Sequence, residues 1–199
     1  MAKIETISRK TLLGLHQYQF NGSHRNPNEC TLCSMTMLLE MGAQKIGHSL
    51  DLAAVELGKE LDRIPFRFPR FPAWFPGPGG ATHPLAAYWG LQGKANRLRK
   101  AGRAFPWQPT LRLRQTPEDL REQLAKHNPT MIYGVGRTGV PHVVVPIANT
   151  EGKWEILDPG FPTAKNPRVW SDKTLIVWWR NFGWFYPRGT MISLWPLED

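Results

Sequence analysis

Three residues of this chain have the types and the order that nucleophilic catalysis at sulfur needs: Cys30, His142 and Asp158. Cys30 opens the stretch Cys30-Thr31-Leu32-Cys33-Ser34-Met35-Thr36-Met37-Leu38-Leu39, which predicts a loop running into a helix. A free thiol is mostly protonated near neutral pH, and only the thiolate attacks. The positive end of a helix dipole favours that anion, and so does a neighbouring imidazolium. His142 heads the apolar run Val143-Val144-Val145, and Asp158 follows sixteen residues later. One tight hairpin between two antiparallel strands would set them side by side, with the carboxylate orienting the ring. Attack on an amide carbonyl builds an oxyanion that needs donors. The Cys30 N–H at a helix start is one. A side-chain amide from the preceding arm would be the other, Gln19 before Gln17.

The elements that must position these groups can be read from periodicity. Residues 1–29 read as an extended arm and loop, with turn signals at Asn21-Gly22 and Asn26-Pro27. Leu32, Met35, Leu38, Leu39 and Met41 recur at helical spacing, and Gly42 predicts the stop. Leu50 to Leu61 predicts a second helix, with Ser49 and Asp51 as candidate caps. Pro84 to Leu91 predicts a short third helix with proline in its first turn. Between them, about residues 62–83, aromatics alternate with prolines from Ile64 to Pro76 and end in Gly77-Pro78-Gly79-Gly80. That pattern excludes helix interior and predicts a long loop insertion.

After Gly102 the pattern is mixed. Thr110 to Leu113 predicts a strand, and Thr116 caps a helix from Pro117 to Lys126, with Asp119 in the capping-box position. Thr130 to Val135, His142 to Ala148 and Trp154 to Leu157 predict strands joined by turns at Gly136 to Gly139 and Glu151-Gly152. Thr174 to Trp179 fits strand or short helix equally, and Thr190 to Trp195 predicts a last strand. Helices first and a mainly antiparallel sheet after them give an α+β class, with N-terminal helices packed on the sheet. At 199 residues the chain predicts one domain, 1–199.

The net charge of +9 favours acidic partners, but the positive residues are spread out apart from Arg97 to Arg103. Nucleic acid is therefore not the expected ligand. No apolar run reaches about 18 residues, so no membrane span is expected, and no signal peptide is read at Met1 to Lys10. Two cysteines cannot frame a disulfide scaffold, and a reducing, cytoplasmic setting is the expectation.

Gln19, then Asn28-Glu29-Cys30 with Ser34 and Met37 on the following helix, resembles the nucleophile motif of the bacteriocin-processing (double-glycine leader) cysteine peptidases. His142-Val143-Val144-Val145 and Leu157-Asp158-Pro159 resemble their second and third motifs. The resemblance spans roughly Leu15 to Gly160. It implies a papain-like cysteine peptidase fold acting on a peptide or protein, with Cys30 as nucleophile, His142 as base, Asp158 as orienter and Gln19 as oxyanion donor. No metal or organic cofactor is required. The chain departs from the family at Thr31-Leu32, where Gly-Pro is usual, and at Pro141, where Gly is usual. The arm from Gln19 to Cys30 is also longer than in compact members, and the proline–aromatic loop is unusual.

Other readings use some of the same residues. Cys30-Thr31-Leu32-Cys33 fits the C-x-x-C of thioredoxin-like proteins, but a loop precedes it where a buried strand is needed. Cys33 reads as a small buried residue, or as a disulfide partner that silences Cys30. A zinc site from Cys30, Cys33 and two of His16, His24 and His142 lacks a second ligand pair. Asp158-Pro159-Gly160 also fits a plain turn. His16, His24, His48, His83 and His127 read as surface or loop residues, and Trp178-Trp179, Trp184, Phe185 and Tyr186 as core before a cleft wall or a partner surface. Gly79-Gly80 raises self-cleavage, which a flexible loop makes unnecessary. The same triad would also serve acyl transfer or deamidation, and the basic surface with its aromatic loop would suit a catalytically inactive binding module.

Overall fold

The computed structural model describes residues 6–19, 30–62, 83–135, 139, 141–179 and 187–197. Six helices are described: α1 (Arg9–Gly14), α2 (Cys30–Gln44), α3 (Ala54–Asp62), α4 (Pro84–Lys100), α5 (Pro117–Ala125) and α6 (Asp172–Trp178). Six strands form one sheet: β1 (Trp107–Arg112), β2 (Thr130–Val135), β3 (Pro141–Thr150), β4 (Lys153–Leu157), β5 (Arg168–Ser171) and β6 (Thr190–Pro196). Their order across the sheet is β1-β6-β2-β3-β4-β5, and every pair is antiparallel. Among the described residues no helix is long and apolar enough to cross a membrane.

The central strands read as unbroken apolar runs because both faces of the sheet are covered. Side chains alternate between faces with a period of two. Met131, Tyr133, Val143, Val145, Leu157, Ile192 and Leu194 face one core with α2, α3 and α4. Ile132, Val144, Trp154, Ile156 and Met191 face the other, with Leu120 of α5 and Leu175 of α6. A slip of one residue in any of these strands would exchange the two sets. The register is therefore fixed from both sides, and with it the pairing of Gly134 with His142.

Several expectations hold in detail. Thr116 caps α5, and both halves of its capping box form with Asp119. Glu151 and Gly152, at φ 50° and 76°, make the β3–β4 turn. Other boundaries move, each for a local reason. Gly42 does not stop α2, which continues to Gln44. It lies under Trp107, where a Cβ would fall 3.1 Å from the ring, and its carbonyl accepts the Trp107 indole N–H at 2.8 Å. Gly42 is thus a close-approach glycine, and the left-handed residue beyond the helix is Gly47 at φ 72°.

The second helix starts at Ala54, not Leu50, and Ser49 and Asp51 do not cap it. The Glu40 carboxylate instead accepts the Leu50 and Leu52 N–H groups, at 3.0 and 2.7 Å, and holds that segment outside the helix. The third helix runs on to Lys100 rather than ending at Leu91, because Leu91, Ala95 and Leu98 continue its buried stripe. Its N-cap is His83, whose Nδ1 accepts from Leu85 N, so His83 is more than a loop residue. The arm read as extended contains α1, capped by Ser8 and too short for periodicity to reveal. Residues 172–178 resolve as helix, capped by Ser171. Trp179 is buried in the core as expected, while Trp178 is half-buried. The proline–aromatic stretch 63–82, Gly79-Gly80, the turns at Asn21-Gly22 and Asn26-Pro27, His24 and the Trp184 group lie outside the described residues.

Candidate active site

Three element ends meet at one edge of the fold. Cys30 is the first residue of α2, which packs on β3. His142 is the second residue of β3, and Asp158 directly follows β4. Antiparallel pairing of β3 with β4 brings the start of one beside the end of the other. His142 Nε2 and Asp158 Oδ1 are 2.6 Å apart. The Cys30 side chain is hydrogen-bonded to the His142 ring. The structure therefore brings Cys30, His142 and Asp158 into one line.

The electrostatics follow from this contact. Burial works against the Cys30 anion, but the hydrogen bond and charge of His142 outweigh it and hold the thiol below its ordinary value. Burial also works against the imidazolium. Here the bonds to Asp158 and to Cys30 prevail, and His142 is raised to about 10. Asp158 has only 2% of its side chain exposed, yet its carboxyl is held low by His142, by the Gly160 N–H and by Arg168. The arrangement favours a thiolate beside an imidazolium.

The arm after α1 lies against the segment that follows Asp158. Gln19 is buried, and its backbone N–H donates to the Pro159 carbonyl at 3.0 Å. That bond ties it to the Asp158 segment, whereas Gln17 is only half-buried. His16, expected to be a surface or loop residue, is part of the same junction. Its Nε2 lies 3.1 Å from the Asp158 carbonyl oxygen and its Nδ1 3.2 Å from Thr163 Oγ1. Burial drives His16 toward its neutral form. Cys33 is buried, and both cysteines are free thiols rather than a disulfide.

Sequence reasoning missed the groups that brace Asp158. Asn166 Oδ1 accepts the Asp158 N–H at 2.8 Å, and its amide nitrogen donates to the Phe161 and Pro162 carbonyls at 3.0 and 3.2 Å. Arg168 Nη1 donates to Asp158 Oδ2 at 3.1 Å. The available signal was the alternation Arg168-Val169-Trp170 after Asn166-Pro167, a short strand behind a turn. Trp178 stands edge-on to His142, with ring centroids 6.5 Å apart.

No family model and no curated protein matches the chain. Its fold is found among solved structures. A Bacillus anthracis protein assigned as a C39-like peptidase aligns over 94% of this chain and 98% of its own, at 12% identity and a TM-score of 0.63. The peptidase domain of Streptococcus ComA, a bifunctional ABC transporter involved in a quorum-sensing pathway, aligns over 86% of this chain and 93% of its own, at 14% identity and a TM-score of 0.50. At such identities the likeness concerns the fold. The fold is α+β and papain-like, as the sequence motifs implied.

Proposed function

We propose that the protein is a cysteine peptidase, with Cys30 as nucleophile, His142 as proton shuttle, Asp158 as orienter, and Gln19 with the Cys30 N–H as oxyanion donors. The observation that carries this reading is the hydrogen-bonded line from the Cys30 thiol through His142 to the buried Asp158. In the reaction, the thiolate attacks a peptide carbonyl and its electrons move onto oxygen. The imidazolium then gives its proton to the leaving amine as the C–N bond breaks. Water, deprotonated by the same ring, attacks the thioester, and breaking of the C–S bond releases the acid and restores the thiolate beside the imidazolium. A papain-like fold, shared with structures assigned as peptidases, supports a peptide as the substrate class.

Substoichiometric iodoacetamide near pH 6 is expected to label Cys30 far faster than Cys33, read by mass spectrometry of the two-cysteine peptide. Slow labelling of both would leave a non-catalytic binding protein. Incubation with a mixed peptide library then reads the reaction class. Shortened peptides mean hydrolysis, whereas new amide adducts or side-chain deamidation would place the chemistry in transfer or deamidation.

Gln19→Ala separates the oxyanion role from a structural one. Loss of one such donor lowers kcat by ~10²–10³-fold. The Cys30 labelling rate is expected to stay at its wild-type value, because the Cys30–His142 pair does not depend on that amide. A kcat within about threefold of wild type, far short of that loss, would return the role to Gln17 or to a backbone group.

A further inference from the structure

Asp158 has more partners than the orientation of a ring requires. Oδ1 receives both the His142 contact at 2.6 Å and the Gly160 N–H at 2.9 Å, and Oδ2 receives Arg168 Nη1 at 3.1 Å. Arg168 is itself held in place. It opens β5 opposite Ile156 of β4, and its guanidinium carbon lies 3.8 Å from the Phe161 ring centroid and 5.9 Å from that of Trp170. Stacking on an aromatic face steadies a guanidinium without discharging it.

A count of charges gives the arginine a purpose. A thiolate, an imidazolium and a carboxylate in one line sum to one excess negative charge, and an unbalanced charge is costly away from water. The guanidinium brings the sum to zero. The other titratable groups around the line do not. Cys33 on α2 is a buried thiol and Tyr133 on β2 a buried phenol. His16 on the arm is driven toward neutrality by burial. Glu155 of β4 pairs with Arg9, and Asp172 of α6 pairs with Arg121. Among the described residues, His142 and Arg168 are the cationic side chains on the Asp158 carboxylate.

We propose that Arg168 is a positioning residue of this centre: it pins the second oxygen of Asp158 and supplies the positive charge that lets the line hold a thiolate. The inference rests on the cysteine peptidase reading. With Oδ2 engaged, the carboxylate cannot rotate away from the ring. The added positive charge favours the thiolate and offsets part of the pull that Asp158 exerts on the imidazolium. The ring then remains acidic enough to protonate a leaving amine. Without the arginine, both the thiol and the imidazole are expected to titrate higher.

The test is the pH dependence of iodoacetamide labelling at Cys30 in the full chain, compared among wild type, Arg168→Met, Arg168→Gln and Arg168→Lys. Each variant is labelled as its folded fraction, because an unfolded thiol adds an alkaline limb of its own. The Met and Gln variants are expected to move the acid limb up by about one pH unit, and so to lose ~10-fold in labelling at pH values well below that limb. The Lys variant keeps the charge and is expected to hold the limb within about a third of a unit. A Met or Gln profile that superimposes on wild type, even with a lower melting temperature, would make Arg168 a structural strut and overturn the proposal. So would a Lys variant displaced as far as the uncharged ones. If Met fails to fold, the Gln–Lys pair decides. If wild-type Cys30 itself labels like an ordinary thiol, the peptidase reading has failed rather than the role of Arg168.

Discussion

Replacing His142 with alanine is expected to lower peptide hydrolysis by at least ~10⁴-fold, because one side chain performs two tasks. It moves the proton, and it makes the sulfur anionic. The balance at Cys30 shows why the second loss is large. Burial is the strongest influence on that thiol and opposes ionisation, and it is overcome chiefly by the His142 hydrogen bond and charge. With the ring gone, burial prevails over the remaining help from the Val143 backbone and Thr31. The variant thiol is then expected to titrate above the ordinary value of about 8.5.

The sign of the pH dependence follows. In the wild type the folded thiol lies below its ordinary value, so the acid limb of labelling falls at lower pH than for a free cysteine. The alkaline limb of hydrolysis follows His142, raised to about 10, above which the ring has no proton for the leaving amine. Activity is expected between those limits. His142→Ala labelling should instead rise only on the alkaline side of a free thiol. Equal labelling rates near pH 6 in variant and wild type would contradict the ion pair.

The residues proposed for the chemistry were legible because each stands at an element boundary that the sequence marks. Cys30 precedes an apolar 3.6-residue period, His142 precedes a run of valines, and Asp158 ends an alternating strand at a proline. The hairpin turn of Glu151 and Gly152 brings the second and third together, and its left-handed residues are readable as a pair. The supports of the site were not legible, for a physical reason. Arg168, Asn166 and His16 act through tertiary contacts that no local pattern encodes. A histidine in a loop and an asparagine before a proline look the same whether or not a carboxylate or carbonyl waits nearby.

Fold boundaries failed in a related way. Gly42 carries the usual mark of a helix end, yet Trp107 of β1, distant in sequence, makes it a packing site. Ser49 and Asp51 carry the usual mark of a helix start, yet the Glu40 carboxylate binds two backbone N–H groups and delays the next helix until Ala54. In both cases local propensity was overridden by a partner from another element. The central strands β2, β3 and β6 fared better because two-sided burial wrote an apolar signal along most of their length, whereas the short, largely exposed β5 was not anticipated.

Gly134→Ala is expected to be the most damaging methyl addition near the site. Gly134 lies in β2 directly opposite His142. A Cβ there would fall 2.4 Å from Trp178 Cε3 and 2.5 Å from the Trp178 backbone oxygen. A flexible side chain could yield, but the carbonyl belongs to the end of α6, so the helix itself must move. Overpacking of this kind costs about 2–4 kcal/mol, and for a chain of this length that lowers the melting temperature by roughly 10 °C. Gly14→Ala is the control: a Cβ there meets nothing within 4 Å, and alanine suits a helix at least as well as glycine.

The consequence extends to chemistry because Trp178 also stands edge-on to His142 and packs against Trp170 at 5.0 Å. A shifted α6 takes that wall with it. The folded fraction of Gly134→Ala is therefore expected to lose hydrolysis as well as stability. Adding Trp178→Ala removes the ring but leaves the carbonyl. If the ring is the main obstacle, the double variant melts higher than the sum of the two single losses predicts. If the backbone oxygen is the obstacle, the losses add, and the glycine is required by the path of the chain rather than by the tryptophan.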